Sequence, residues 1–143
     1  MFRYFIFFLY FPTSFVFCQS IDYTSLYIEQ RVPVNTGVNM TIAIMDMPNY
    51  ISNGDTIFSL FKNSDDTFFT AGMTIWEGER LAIALWGNDS TSNIKDGFSD
   101  NEQIYWAYQE NELYILLEPH YRQGDNYFKA NGLAIIDSLT IVR

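Results

Sequence analysis

Short apolar runs alternate with polar turns along most of the chain. In the run 80–86, Leu81, Ile83 and Leu85 are large and apolar, while the positions between them are alanines. This period of two predicts a strand with one face packed against a core. Comparable β-type runs occupy 40–45, 56–61, 68–76, 103–108 and 113–117, and residues 133–142 predict one or two further strands.

Turn signals between these runs indicate an all-β fold. Asn53 and Gly54 form a dipeptide typical of a tight turn. Strands of about six residues that recur about every ten residues are typical of a sandwich. We therefore predict one domain, residues 21–143, folded as an antiparallel β-sandwich of the jelly-roll or immunoglobulin-like kind.

Individual residues refine this expectation. Gly72 inside a strand predicts a bulge or a close approach of another backbone. Pro119 is expected to end the strand at 113–117, because proline cannot donate to a strand ladder. Residues 21–31 are expected to be either an irregular lead-in or a first edge strand.

Residues 1–20 have the layout of a secretory signal peptide. A positive charge at Arg3 precedes an almost entirely apolar run that ends near Cys18. The run contains Pro12 and is shorter than the about 20 residues that a transmembrane helix needs. We predict cleavage after Cys18 or after Ser20, and hence a secreted or cell-surface protein whose mature chain does not span a membrane.

Composition narrows the classes of function. The formal net charge is −9, and the one cysteine is Cys18 in the predicted signal peptide. The mature chain therefore has no disulfide, no cysteine zinc site and no thiol nucleophile. Because lysine and arginine form no cluster, we expect no binding to nucleic acid.

Polar chemistry is concentrated in the loop after Trp86. Its acidic and amide residues are Asn88, Asp89, Asp96, Asp100 and Glu102. Calcium is bound by about six to eight oxygen ligands of these kinds, so the loop is a candidate calcium site. The spacing does not fit an EF-hand, because Ile94 stands where that motif has glycine. The alternative is a structural loop whose carboxylates accept hydrogen bonds from nearby backbone N–H groups.

Aromatic residues suggest a second candidate site. Flat indole and phenol rings can stack on the apolar face of a sugar, and an indole N–H can bond to a hydroxyl. The candidates are Trp76, Trp86, Tyr105, Trp106 and Tyr108. The alternative is core packing, and since Trp86 and Trp106 are expected on adjacent strands, at least one of them should be buried.

No residue pattern predicts catalysis. Glu77 and Glu79 occupy a short turn with no sign of the cleft that a glycosidase needs between its carboxylates. His120 is the only histidine, and no nucleophile motif of the G-x-S-x-G kind is present. We therefore do not expect an enzyme.

Four ordered motifs resemble a module of secreted Bacteroidota proteins. They are Thr-Gly-Val-Asn-Met-Thr at 36–41, Ser-Asn-Gly-Asp-Thr-Ile at 52–57, Gly-Met-Thr-Ile-Trp-Glu-Gly at 72–78, and Trp-Gly-Asn-Asp at 86–89 followed by Lys-Asp-Gly-Phe at 95–98. The chain departs from the family where a common Gly-Asp-Glu-Ile-Gly-Ala segment is here Gly-Asp-Thr-Ile-Phe-Ser, at 54–59.

The resemblance implies a β-sandwich module on the cell surface. Such modules often lie upstream of a sorting domain for type IX secretion, and no such domain follows Arg143, so the chain is either a stand-alone copy or a truncated one. The expected function is a non-catalytic binding or structural role, in adhesion or surface assembly, with a surface protein or a glycan as partner. The alternative function is a carbohydrate-binding module that uses exposed aromatic residues.

Overall fold

The computed structural model describes residues 28–29 and 31–142 of the chain. The predicted signal peptide and most of the lead-in lie outside the described residues. The strands are β1 (Ile28–Glu29), β2 (Asn39–Ile44), β3 (Thr56–Lys62), β4 (Phe68–Ile75), β5 (Leu81–Trp86), β6 (Tyr105–Glu110), β7 (Leu113–Gln123) and β8 (Leu133–Ile141). The described residues contain no helix, so the prediction of an all-β fold is confirmed.

The strands form one curled sheet. Its order is β1-β4-β3-β6-β7-β8-β2-β5, with β1 parallel to β4, β2 parallel to β8 and the other neighbours antiparallel. The prediction of purely antiparallel pairing is therefore wrong, because the sheet is mixed. Its hydrogen bonding is continuous instead of divided between two sheets. β7 joins the two halves, since its residues up to Leu117 pair with β6 and those from Leu117 onward pair with β8.

The curl brings β4 and β5, which are not hydrogen-bonded neighbours, against each other. A Cβ atom on Gly72 would lie 2.6 Å from the carbonyl oxygen of Ala84 and 2.6 Å from Ser59 Oγ. The pairing of β3 with β4 also changes register after Ser59, beside this glycine. Both features predicted for Gly72 are thus present, and the absence of a side chain permits the approach.

The curled sheet encloses one main core. Alternate residues of β5 are buried in it as predicted, and those of β2 are buried opposite them, with Ile42 facing Ile83 and Met40 facing Leu85. Trp106 is fully buried, and a pair of loop phenylalanines, Phe98 and Phe128, completes the cluster. Burying one large apolar side chain contributes about 1.5–3 kcal/mol.

Strand β3 is apolar on both faces. Ile57 and Phe61 lie in the main core, whereas Phe58 and Leu60 belong to a second cluster on the other face of the sheet. Phe68 and Ala107 are in that second cluster. A strand buried on both faces has a nearly continuous apolar sequence, as the segment 57–61 does.

Residues 133–141 form a single strand, which is one of the two alternatives that the sequence left open. Two local predictions from the sequence are wrong. Strand β7 passes through Pro119, which lies opposite Leu139; the ladder to β6 ends at Leu117, so Pro119 has no partner to bond on that side. Trp86 and Trp106 are not on adjacent strands, because β5 is at the edge of the sheet beside β2 and β6 lies between β3 and β7.

Consecutive strands from β2 to β8 alternate in direction, which separates the connections into two ends. At one end, the turn end, lie residues 45–55, 76–80 and 111–112. At the other, the loop end, lie residues 63–67, 87–104 and 124–132. Every candidate calcium ligand is at the loop end.

Candidate functional site

The loop 87–104 crosses the loop end of the core. Phe98 is 1% exposed and stacks on Phe128, with ring centroids 5.3 Å apart. It also meets Phe61 edge to face at 5.8 Å. Two hydrogen bonds attach this part of the loop to the end of β5, from Phe98 N to the Trp86 carbonyl and from Asn88 N to the Phe98 carbonyl. The loop therefore closes the core.

The carboxylates of its first half bind the loop's own backbone. Asp96 Oδ1 accepts a hydrogen bond from the Asp89 N–H at 2.8 Å, and Asn88 Oδ1 accepts one from the Asp96 N–H at 3.0 Å. Asp89 Oδ1 accepts from both the N–H and the hydroxyl of Thr91, each at 2.8 Å. These bonds, the backbone one above all, lower the pKa of Asp89 from its ordinary value.

The carboxylates of its second half bind a lysine and further N–H groups. Glu102 Oε1 is 2.5 Å from Lys95 Nζ, and Glu102 Oε2 accepts from the Ser99 N–H at 2.8 Å. Lys95 Nζ lies 5.0 Å from the centre of the Phe61 ring, so the ion pair rests on the core. Asp100 Oδ1 accepts from the Ala130 N–H, at 3.4 Å, on the neighbouring loop.

This arrangement gives no support to a calcium site. The carboxylates accept hydrogen bonds from separate donors, and within residues 28–29 and 31–142 no three His, Cys, Asp or Glu side chains are grouped to hold a metal ion. The geometry matches the alternative expectation of a structural loop. Calcium at Asn88, Asp89, Asp96, Asp100 and Glu102 stays a prediction without structural support.

Most of the candidate aromatic ligands lie in the core. Trp76 is 7% exposed, Tyr108 2% and Trp106 0%, so these rings offer little or no face to a sugar. Tyr105 is half-buried and packs edge to face on Phe68. Trp86, half-buried in the last position of β5, is the tryptophan with substantial accessible surface.

Trp106 helps to set the environment of a buried tyrosine. Its Nε1 has no hydrogen-bond partner within the described chain. The Tyr121 hydroxyl donates to Asn126 Oδ1 at 3.1 Å. Burial raises the pKa of Tyr121 to about 12, and the nearby Trp106 side chain acts in the opposite direction. Tyr121 is thus a neutral anchor for the loop 124–132.

A line of grooves lies over the contact between β4 and β5, and we call it the seam furrow. Its apolar half, about 320 Å³, is lined chiefly by Val32, Pro33, Met73, Ala82, Ala84 and Trp86. Its polar half, at the turn end, consists of grooves of about 570 and 400 Å³ lined by Thr74, Ile75, Leu81, Glu77, Glu79, Arg80, Asp46, Met45, Gly78 and Trp76. These volumes lie in the range of small-molecule and peptide sites.

The charged residues of the polar half are unpaired. Glu77, Glu79 and Arg80 are exposed and form no ion pair with any described residue. The lysine ion pairs, by contrast, all lie at the loop end: Lys62 with Asp66, Lys95 with Glu102, and Lys129 with Asp125. The sequence interpretation expected no cleft near Glu77 and Glu79, whereas grooves lie beside both.

The furrow was not found from the sequence. Its two halves come from residues far apart in the chain, such as Val32 and Met73, and only the curl of the sheet brings them together. The signal that could have indicated it is the uncharged β5 with alanines on its outer face. An edge strand without charge or proline is normally covered or used.

The remaining features suggest no further site. His120 Nε2 lies 3.2 Å from the Thr140 hydroxyl, in an exposed position. Nowhere in the described part of the chain is there a helix long and apolar enough to cross a membrane.

The chain matches no protein-family model, no curated protein and no solved structure. The resemblance to Bacteroidota surface modules therefore remains an expectation.

Proposed function

We propose that this chain is a secreted, non-catalytic module that acts by binding at the cell surface, in adhesion or surface assembly. The observation that supports this most is the exposed apolar half of the seam furrow. Val32 is 83% exposed, Met73 46% and, further along β4, Ile75 55%. A run of exposed apolar side chains on a strongly acidic chain is typical of a surface that binds a partner.

For the fold, we propose that the two halves of the curled sheet act as the two packed layers of a sandwich with mixed strand pairing. The partner change of β7 at Leu117 supports this arrangement. The same arrangement accounts for a furrow where β4, from one half, meets β5, from the other.

The proposal is tested with labelled mature protein, residues 21–143, applied to intact cells of its source and to their extracellular matrix. We expect saturable binding that Met73→Ser and Val32→Ser weaken, because both side chains are exposed and contribute to the furrow. Leu133→Ser is the matched control, since Leu133 is 59% exposed on β8 and does not line the furrow. Absence of saturable binding, or equal losses in all three variants, would contradict the proposal.

The second candidate function is carbohydrate binding, which Trp86 favours. Its ring is partly accessible and lines a groove, as a sugar-stacking residue must. Affinity electrophoresis through gels that contain neutral polysaccharides tests it. Retardation that Trp86→Ala abolishes would support this candidate, and unretarded wild-type protein in every gel would exclude it.

A further inference from the structure

We infer that the seam furrow receives an extended peptide segment of a partner protein, apolar at one end and basic at the other. The apolar side chains of the segment would lie against Met73 and Trp86, and a lysine or arginine would lie between Glu77 and Glu79. This inference rests on the proposed binding function and specifies the chemistry of the partner.

The grooves adjoin one another in a row, which we call the path. A small groove lined by Arg31, Phe58 and Thr70 shares Val32 and Met73 with the apolar half of the furrow. Thr74 lines both the apolar half and the first polar groove, and Glu79 and Arg80 line both polar grooves. The path follows β4, and a strand rises about 3.3 Å per residue, so an extended segment of about seven or eight residues matches its length.

The apolar half is shaped for side chains. Ala82 and Ala84 are exposed and small, so the outer face of β5 forms a depression between Trp86 and the exposed side chain of Met73. Neither half-buried Trp86 nor exposed Met73 has a charged neighbour in this groove. Apolar side chains of about valine size would remove these surfaces from water.

The polar half has the complementary charge for a basic residue. Asp46, Glu77 and Glu79 outnumber Arg80, and neither Glu77, Glu79 nor Arg80 has an ion-pair partner among the described residues. Met45, which is partly exposed, also lines this end and offers apolar surface to the methylene stem of a lysine. The three lysines of the chain itself all form ion pairs at the loop end.

A buried polar atom at the start of the path also lacks a partner. Thr70 is 3% exposed, lines the first groove, and its Oγ1 makes no hydrogen bond within the described chain. Buried hydroxyls normally have a hydrogen-bond partner, either in the protein or in an ordered water. A backbone or side-chain polar group of the bound segment would supply the missing partner.

Two other occupants are disfavoured. An added strand cannot enter between β4 and β5, because the Ala84 carbonyl already lies against Gly72. The segment must therefore lie on top of the seam and be held by side chains instead of a ladder. A second copy of this chain is disfavoured by its charge, since the formal net charge is −9 and the polar half of the furrow is itself acidic.

The inference is tested with a bead-displayed library of random eight-residue peptides and the labelled mature protein. We expect enriched peptides to combine an apolar block with lysine or arginine, and their binding to weaken as salt rises. Glu77→Gln with Glu79→Gln should weaken binding about fivefold and flatten the salt dependence. Asp65→Asn with Asp66→Asn removes the same charge at the loop end and should leave both unchanged.

Several outcomes would overturn the inference. They are enriched peptides without basic residues, equal effects of the two double variants, or no enrichment at all. Retention on a neutral oligosaccharide column that Trp86→Ala abolishes, without peptide binding, would assign the furrow to a glycan instead. If cell binding depends on Met73 while no peptide binds, the peptide inference alone fails; if cells are not bound either, the proposed function fails with it.

Discussion

Both ends of the curled sheet carry carboxylates, but these carboxylates have different roles at the two ends. At the loop end, carboxylates accept hydrogen bonds from backbone N–H groups and from Lys95, and the loop that carries them covers the core. At the turn end, Glu77 and Glu79 are exposed beside grooves and make no ion pair with the described residues. Acidic residues close a structure at one end and remain available for a partner at the other.

Loop length explains much of the difference. The loop 87–104 is long enough to fold back on itself and bring several N–H groups to each carboxylate. The connection 76–80 is too short for this, and Gly78 turns it sharply with φ at 82°. A high local density of acidic residues in a sequence therefore indicates a polar loop. Whether its carboxylates are available to a partner depends on the length of the connection that carries them.

The largest expected effect is a loss of stability caused by a substitution at the loop end. Phe98→Ala removes a fully buried ring that contacts Phe128 and Phe61, and should lower the free energy of unfolding by about 3–5 kcal/mol. Ile94→Ala in the same loop is the control, because Ile94 is exposed and should cost at most about 0.5 kcal/mol. Urea unfolding measures both. Similar losses would show that the loop does not close the core.

The next effect concerns the seam that both ends share. Gly72→Ala forces a methyl group against the Ala84 carbonyl and Ser59, and should cost about 1–3 kcal/mol through overpacking. Thr74→Ala, on the same strand and half-buried, should cost less than this. Thermal and urea unfolding of the two variants compare them. A neutral Gly72→Ala would mean that β4 and β5 are not held in contact.

A smaller effect is expected when carboxylates at the two ends are substituted and the losses of stability are compared. Glu102→Gln weakens the bonds to Lys95 and Ser99 and should lower the free energy of unfolding by about 1–2 kcal/mol. Glu77→Gln with Glu79→Gln should leave stability within about 0.5 kcal/mol of the parent. Urea unfolding at neutral pH gives both values. A loss in the double variant as large as that in Glu102→Gln would contradict the proposed difference between the ends.

The smallest effect is a titration. The pKa of Asp89 lies below its ordinary 3.8 because Thr91 donates to the carboxylate. The stabilisation from this bond is therefore present above the unfolded-state pKa and is lost as pH falls through the folded-state value. Thr91→Val should raise the pKa of Asp89 toward 3.8 by removing the hydroxyl bond, as carbon-detected NMR can measure. Ser92→Ala removes a hydroxyl that does not bond to the carboxylate and should leave the pKa unchanged.

The sequence predicted the strands well wherever one face is buried. The alternation of β5 and the approach at Gly72 both follow from local patterns, since side-chain period and the absence of a Cβ act within a few residues. The sequence failed at Pro119, because whether a proline interrupts a ladder depends on where the neighbouring strand ends. The end of that neighbouring strand follows from the sheet order and cannot be read from the local sequence around Pro119.

The candidate sites were predicted less well for the same kind of reason. The sequence correctly placed Asn88 to Glu102 in a loop between strands. The hydrogen-bond partners of the loop carboxylates, however, are set by the folded path of the backbone. Trp106 and Trp76 were offered for binding although the curl of the sheet buries them. The furrow joins Val32 to Trp86, and no local period connects those positions.

The parallel pairing of β2 with β8 has a mechanical consequence. The chain enters β2 at the loop end and leaves β8 at the turn end, so tension along the chain pulls these neighbours in opposite directions. The ladder between Thr41 and Ile44 on one side and Leu133 and Ile136 on the other is then sheared, and its bonds share the load at once. A domain built this way resists stretching better than one whose terminal strands can be peeled apart bond by bond.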